Sequence, residues 1–203
     1  MLSEARQLTR DYFDQECRAF GTSDKALGWA SKSSQRLRFS MMSLMSEWDQ
    51  TYSVLDVGCG HGDLFGFCEE EKLPVVYTGI DFTAGMIRVA KAKYPKGTFV
   101  EADILDANFI DIYDYVFASG IANLKVPDQM GWIESLLAKS FSLAKKGISF
   151  TMLSSFAPPE WRDDAYFYYY DPLRVLAYCF TLSPYVELKH HYLQHDFTVT
   201  VYR

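Results

Sequence analysis

Residues 54–64, VLDVGCGHGDL, place three glycines on alternate positions directly behind an apolar run. An apolar run that stops at glycines reads as a buried strand ending in a tight turn. Glycines at such a turn remove Cβ atoms and permit positive φ, so a ligand can lie directly on the backbone. The next residues, DLFGFCEEEK, read as a helix whose N-terminus favours negative charge. Strand, glycine turn and helix together form the opening unit of an open parallel sheet, where ligands bind outside the carboxyl ends of the strands.

The alternation continues to the end of the chain. VVYTGIDF reads as a strand, AGMIRVAKAKY as a helix, TFVEADIL as a strand and YDYVFASG as a strand. QMGWIESLLAKSFSLA follows as a helix, GISFTMLSS as a strand and DPLRVLAYCF as a helix. These strands are apolar throughout, as expected when helices cover both faces of the sheet. The closing strands YVELKHHYL and FTVTVYR are joined by QHD, too short for a crossover, so they must be antiparallel. Two helices precede the first strand. One runs from 2 to about 20, with Leu2, Ala5, Leu8, Tyr12 and Phe13 at helical spacing. The other covers about 33 to 48, with Leu37, Met41, Leu44, Met45 and Trp48 as its stripe, and a Gly28-Trp29 loop lies between them. The expectation is one α/β domain over 1–203: a helical extension at 1–50 and a Rossmann-like, doubly wound core at 51–203.

Spacing separates two kinds of nucleotide reader. A dinucleotide site asks for GxGxxG, its third glycine allowing close packing of helix on strand. Here the pattern is GxGxG, followed by Asp63 and Leu64. Asp63 stands where a pyrophosphate would lie; its charge disfavours one and suits an ammonium group. Asp81 closes the second strand, 19 residues after Gly62 (81 − 62), where a carboxylate can accept both hydroxyls of an unphosphorylated ribose. The third strand ends in EADIL, offering Asp103 to an adenine amino group and Ile104 to its ring.

In that order, VLDVGCGHGDL, GIDF and EADI resemble the motifs of the class I S-adenosylmethionine-dependent methyltransferases, and the match runs from about Val54 to Ser154. The segment GWASKSSQRLRF also resembles one in a small bacterial branch of these enzymes, of unassigned substrate. The resemblance implies a seven-stranded sheet with an antiparallel last strand, S-adenosylmethionine as donor and S-adenosylhomocysteine as product. By position it implies that Gly58, Cys59 and Gly60 contact the methionine part through backbone, that Asp81 binds the ribose, and that Asp56 belongs to the cofactor-binding set. Phe82, Met86 and Ile104 would pack on the adenine, Asp103 would take its amino group, and Ser119 would lie under the sulfonium.

The acceptor is expected from other residues. The aromatic run 161–172, WRDDAYFYYYDP, holds more rings than one short element can turn inward, so Trp161, Tyr168 and Tyr169 are read as a pocket wall. Asn123 is the only amide in SGIAN, the segment that closes the fourth strand. Arg36 and Arg38 precede the first strand, and one of them, Arg38 by choice, could meet the donor's carboxylate bidentately. Histidines suit removal of an acceptor proton near neutral pH, which brings forward His195 in the closing turn and His61 in the glycine loop. The reading is methyl transfer to an O or N atom of a small polar or aromatic metabolite. A protein- or RNA-directed enzyme and a non-catalytic S-adenosylmethionine-binding protein stay open as alternatives.

Composition narrows the rest. Lys plus Arg is 20 and Asp plus Glu is 26, a net charge of −6, which disfavours a nucleic-acid partner bound through its phosphates. The four cysteines, Cys17, Cys59, Cys68 and Cys179, form no CxxC pair, so no metal site is expected. The charged start is no secretory signal, no run approaches a bilayer span of about 20 residues, and a cytoplasmic location is the default. Nothing in the sequence speaks to oligomeric state.

Overall fold

The computed structural model describes residues 2–28, 31–162 and 165–203. Trp29 of the expected loop, Ala30, and Asp163 and Asp164 of the aromatic run lie outside the described residues. Seven strands form one sheet: β1 (Tyr52–Val57), β2 (Val75–Asp81), β3 (Thr98–Glu101), β4 (Tyr113–Ser119), β5 (Ala144–Leu153), β6 (Val186–Lys189) and β7 (Asp196–Tyr202), in the order β3-β2-β1-β4-β5-β7-β6. The first five pair parallel, and β7 runs antiparallel to both β5 and β6. The doubly wound sheet with its antiparallel last strand is as expected.

The helices are α1 (Leu2–Phe20), α2 (Lys32–Ser43), α3 (Asp63–Glu70), α4 (Ala84–Lys93), α5 (Gln129–Leu143), α6 (Pro159–Arg162) and α7 (Pro172–Leu182), with a single 3-10 turn at Asp24–Leu27. Large apolar side chains on both sheet faces are sealed from water. Leu55, Phe117, Ile148, Phe150 and Phe197 are all at most 1% exposed, each burial worth roughly 1.5–3 kcal/mol.

Three elements end differently from the sequence reading, each for a local reason. α2 stops at Ser43 rather than near 48. Trp48 has φ +51, and its indole Nε1 donates to the Ser43 carbonyl at 2.8 Å, closing the helix end. β3 stops at Glu101 because Asp103 turns the chain, its Oδ1 accepting from Leu105 N at 2.8 Å. β6 stops at Lys189, and His190 instead meets Ser154 Oγ through Nε2 at 2.6 Å. α6, one turn long, has no periodic signal. The stripe expected on α1 is only partly a core face: Ala5 is buried, whereas Leu2 and Leu8 are each 44% exposed.

The order β3-β2-β1 reverses at β4, so a crevice opens between the carboxyl ends of β1 and β4. α2 packs against α3, β4, β5 and β7, and α1 packs against α4 and α5, which brings both amino-terminal helices to this end of the sheet.

Candidate functional site

The crevice is a cavity of about 530 Å³, within the size range of small-molecule sites. Its floor is the glycine turn. Gly58 has φ +67, and a Cβ there would stand 2.2 Å from Ile121 Cγ2. Gly60 has φ +53, and a Cβ there would stand 2.6 Å from the flexible end of Leu27. Both positions therefore favour glycine by conformation, and Gly58 by space as well.

The turn is tied to the end of β2. Gly60 N–H donates to Asp81 Oδ2 at 3.1 Å, and Thr83 N–H donates to Asp81 Oδ1 at 2.8 Å. Each oxygen keeps a further lone pair for a ligand hydroxyl. Burial pushes the Asp81 carboxyl up to about 6, and the two N–H donors pull the other way. Behind the turn, Asp56 is 4% exposed and accepts from the Tyr77 hydroxyl at 2.6 Å. Burial pushes Asp56 up to about 7.

Asp56, Gly58, Cys59, Gly60, Asp81, Phe82, Met86, Asp103, Ile104, Ser119 and Arg38 all line this one cavity. Asp103 does so with its carboxylate engaged, Arg6 of α1 donating Nε to Oδ2 at 2.6 Å. Ser119 shares a 2.8 Å hydrogen bond with Thr151 Oγ1. Asp63, suited by its charge to an ammonium group, also lines the cavity. That charge is met by Lys93 of α4, and Gln35 Nε2 donates to its Oδ2 at 3.1 Å.

The opposite wall is aromatic. Trp161, Tyr169 and Asn123 line it, together with Phe13 and Phe167. Tyr168, expected in this wall, is not part of it. Its ring packs edge-on against buried Tyr170, centroids 4.9 Å apart, and its N–H donates to Asn123 O at 2.6 Å. The run turns alternate rings in and out, and this one faces away from the cavity.

The two histidines part company. His195 lines the cavity beside Trp161, ring centroids 4.7 Å apart. Its Nε2 lies 3.5 Å from Arg38 Nη2 and 3.6 Å from Asp196 Oδ2, while Arg38 and Asp196 form a buried ion pair at 2.6 Å. Burial is the larger cause that lowers the His195 pKa, with Arg38 adding to it and Asp196 opposing, so the ring is neutral at pH 7. His61 is fully buried inside the glycine loop and does not line the cavity, which gives an acceptor no path to its ring.

Thr9, Phe13, Gln35 and Phe39, from α1 and α2, line the cavity although nothing in the sequence marks them out. On a helix, such residues carry the same periodic signal as core. Among the described residues, no cluster of three or more His, Cys, Asp or Glu side chains could hold a metal, and no helix is long and apolar enough to cross a membrane.

Comparison with known proteins adds four findings. A family profile described as "Methyltransferase domain" matches residues 54–147. Rv1506c of Mycobacterium tuberculosis (strain ATCC 25618 / H37Rv), a protein whose name designates it a methyltransferase, is 33% identical over 157 residues, covering 74% of this chain and 92% of its own. The ubiquinone/menaquinone biosynthesis C-methyltransferase UbiE of Campylobacter jejuni is 33% identical over 107 residues, 48% of this chain and 42% of its own, so the chain spans under half of that relative. The same fold occurs in magnesium protoporphyrin IX methyltransferase from Synechocystis PCC 6803, solved with bound S-adenosylmethionine. It has a TM-score of 0.66 and 17% identity, with 97% of this chain and 96% of that one covered.

Proposed function

The chain belongs to the class I S-adenosylmethionine-dependent methyltransferase family, and on that premise we propose how its cavity is divided. The glycine-turn half seats the donor, and the aromatic half seats a small polar or aromatic acceptor methylated on oxygen or nitrogen. The observation that carries this reading is the bond from Gly60 N–H to Asp81. It joins the turn and the acid at the end of β2 into one surface, facing an aromatic wall in the same cavity.

The donor supplies a methyl group already activated on sulfonium sulfur. The residues that face it fit such a group: a backbone floor without side chains, an acid with lone pairs open to ribose hydroxyls, and apolar Phe82, Met86 and Ile104 for a ring. Asp103 is the acceptor for an adenine amino group, and Ser119 lies at the junction of the two halves. Transfer is an in-line displacement, so the chain's work is to align the acceptor and exclude water. Trp161, Phe167 and Tyr169 do both. Neutral His195 is placed to take the acceptor's proton, and the Arg38–Asp196 pair fixes its ring.

A titration tests the donor half: binding of S-adenosylhomocysteine with no binding of NAD supports it, and the reverse sinks it. Incubation with S-adenosylmethionine and a panel of phenols, amines and hydroquinones, read by product mass and carbon NMR, tests the acceptor half. Carbon is the second acceptor atom to examine, because UbiE is named a C-methyltransferase. For the base, His195→Ala should lose most turnover below about pH 8 and recover part of it at higher pH, where the acceptor ionises unaided. Full turnover of that variant from about pH 6 to 9 removes His195 from the mechanism.

A further inference from the structure

Four carboxylates line the cavity, and three of them are held by donors or a cation. Asp63 has Lys93 and Gln35, Asp103 has Arg6, and Asp81 has two backbone N–H groups. Asp56 differs. It is buried at the end of β1, and its hydrogen-bond donor is a single neutral phenol, Tyr77. The cavity's ion pairs involve Asp63, Asp103 and Asp196; among the described residues none reaches Asp56. The strand leaves room for the phenol. A Cβ on Gly79 would stand 2.9 Å from the Tyr77 hydroxyl, so β2 carries glycine where that group passes.

A carboxylate buried without a cation is costly, and the cheaper state carries a proton. What reverses the balance is a cation delivered into the same cavity. We propose that Asp56 is a proton-coupled counter-ion, protonated while the cavity is empty and ionised when the ammonium group of the bound donor arrives, with Tyr77 as the residue that positions it. The proposal rests on the reading of the cavity as a donor site. In the step, the O–H bond of Asp56 breaks, its proton passes to solvent, and the carboxylate left behind faces the ammonium group.

The surrounding groups set the sign. Tyr77 and Asp81 face Asp56 from β2, Asp63 and Cys68 from α3, and Cys59 from the glycine loop. Burial is the largest influence and raises the Asp56 pKa, the negative charges of Asp81 and Asp63 raise it further, and the Tyr77 hydrogen bond lowers it. Arg38 lines the same cavity, but its guanidinium is paired with Asp196.

Calorimetric titration with S-adenosylhomocysteine at about pH 6.5, where its amine is protonated, tests the proposal. In two buffers of different ionisation enthalpy the wild-type heats should differ by the signature of proton release. Affinity should rise on the order of tenfold from about pH 5.5 to 7. Asp56→Asn should lose both effects. Tyr77→Phe, which removes the bond that lowers the Asp56 pKa, should keep proton release and extend it to higher pH; a purely structural Tyr77 would not move that profile. Intact binding with equal heats in both buffers, or undiminished release in Asp56→Asn, overturns the proton coupling alone. No binding by the wild type overturns the donor-site reading and the coupling with it.

Discussion

Arg6 donates its Nε to the carboxylate of Asp103 at 2.6 Å, across 97 positions of sequence. The same helix carries Arg10, whose guanidinium lies 5.2 Å over the Phe82 ring, and Cys17, which a Cβ on Gly85 would approach to 3.3 Å. α1 is thus a roof over the Phe82 and Asp103 side of the cavity, and it meets residues that the donor is proposed to meet.

The Arg6–Asp103 pair is part-exposed, with Arg6 at 36%. Arg6→Gln should therefore cost under about 1 kcal/mol of stability in chemical denaturation. Asp103→Ala should weaken S-adenosylhomocysteine binding by roughly tenfold, since a buried amino donor would lose its acceptor. An Asp103→Ala variant that binds as well as wild type removes Asp103 from the adenine site.

Gly58 and Gly60 should not tolerate alanine equally. At Gly58 the new methyl meets Ile121 at 2.2 Å, and Ile121 itself lines the cavity; at Gly60 it meets only the flexible tip of Leu27. Both changes carry the strain of positive φ, on the order of 1–2 kcal/mol. Gly58→Ala should show the larger drop in melting temperature and no measurable ligand binding, and Gly60→Ala a partial loss of each. Equal effects would mean that the Ile121 contact is not the constraint.

Asp56 also predicts a dependence of stability on pH in the ligand-free protein. Its folded pKa is raised to about 7, so the folded state holds a proton that the unfolded state has already lost above about pH 4. The stability linked to that proton is full below about pH 4, falls as pH rises from there, and is lost once pH passes about 7. Asp56→Asn has no such proton to lose. Relative to wild type it should gain on the order of 2 kcal/mol between about pH 5 and 8, measured by urea denaturation at each pH. A constant difference across that range contradicts a raised Asp56.

The aromatic run offers an internal control. Trp161→Ala and Tyr169→Ala remove cavity walls and should raise the acceptor KM with little change in S-adenosylhomocysteine affinity. Tyr168→Phe, outside the cavity, should leave both unchanged. A change in acceptor KM for the Tyr168 variant as large as for Tyr169→Ala would reverse the assignment of the two rings.

The donor half is readable because its signals are local. Gly58, Gly60 and Asp81 announce themselves within 24 residues of sequence (81 − 58 + 1), the glycines just behind β1 and Asp81 as the last residue of β2. The proposed acceptor half is built by distant packing. Phe13 and Phe39 sit on helices where an aromatic at helical spacing looks the same whether it meets core or cavity. Tyr168 and Tyr169 are neighbours in one run, and only the backbone path, fixed by Tyr168 N–H on Asn123 O, decides which ring faces in. The shortened β3 and α2 show the same limit on a smaller scale. The Asp103 and Trp48 side chains capture backbone groups and end elements that hydrophobic pattern alone would extend.

Thr9 and His195 border the same cavity, and Arg38 reaches His195 across 157 positions. Contacts of such separation close the longest loops and form late in folding. The sheet from β1 to β5 can assemble before the roof and the closing hairpin have docked. In a refolding experiment followed in time, strand structure should therefore return before the capacity to bind ligand, and the lag between the two reports how long the chain spends as a scaffold without a site.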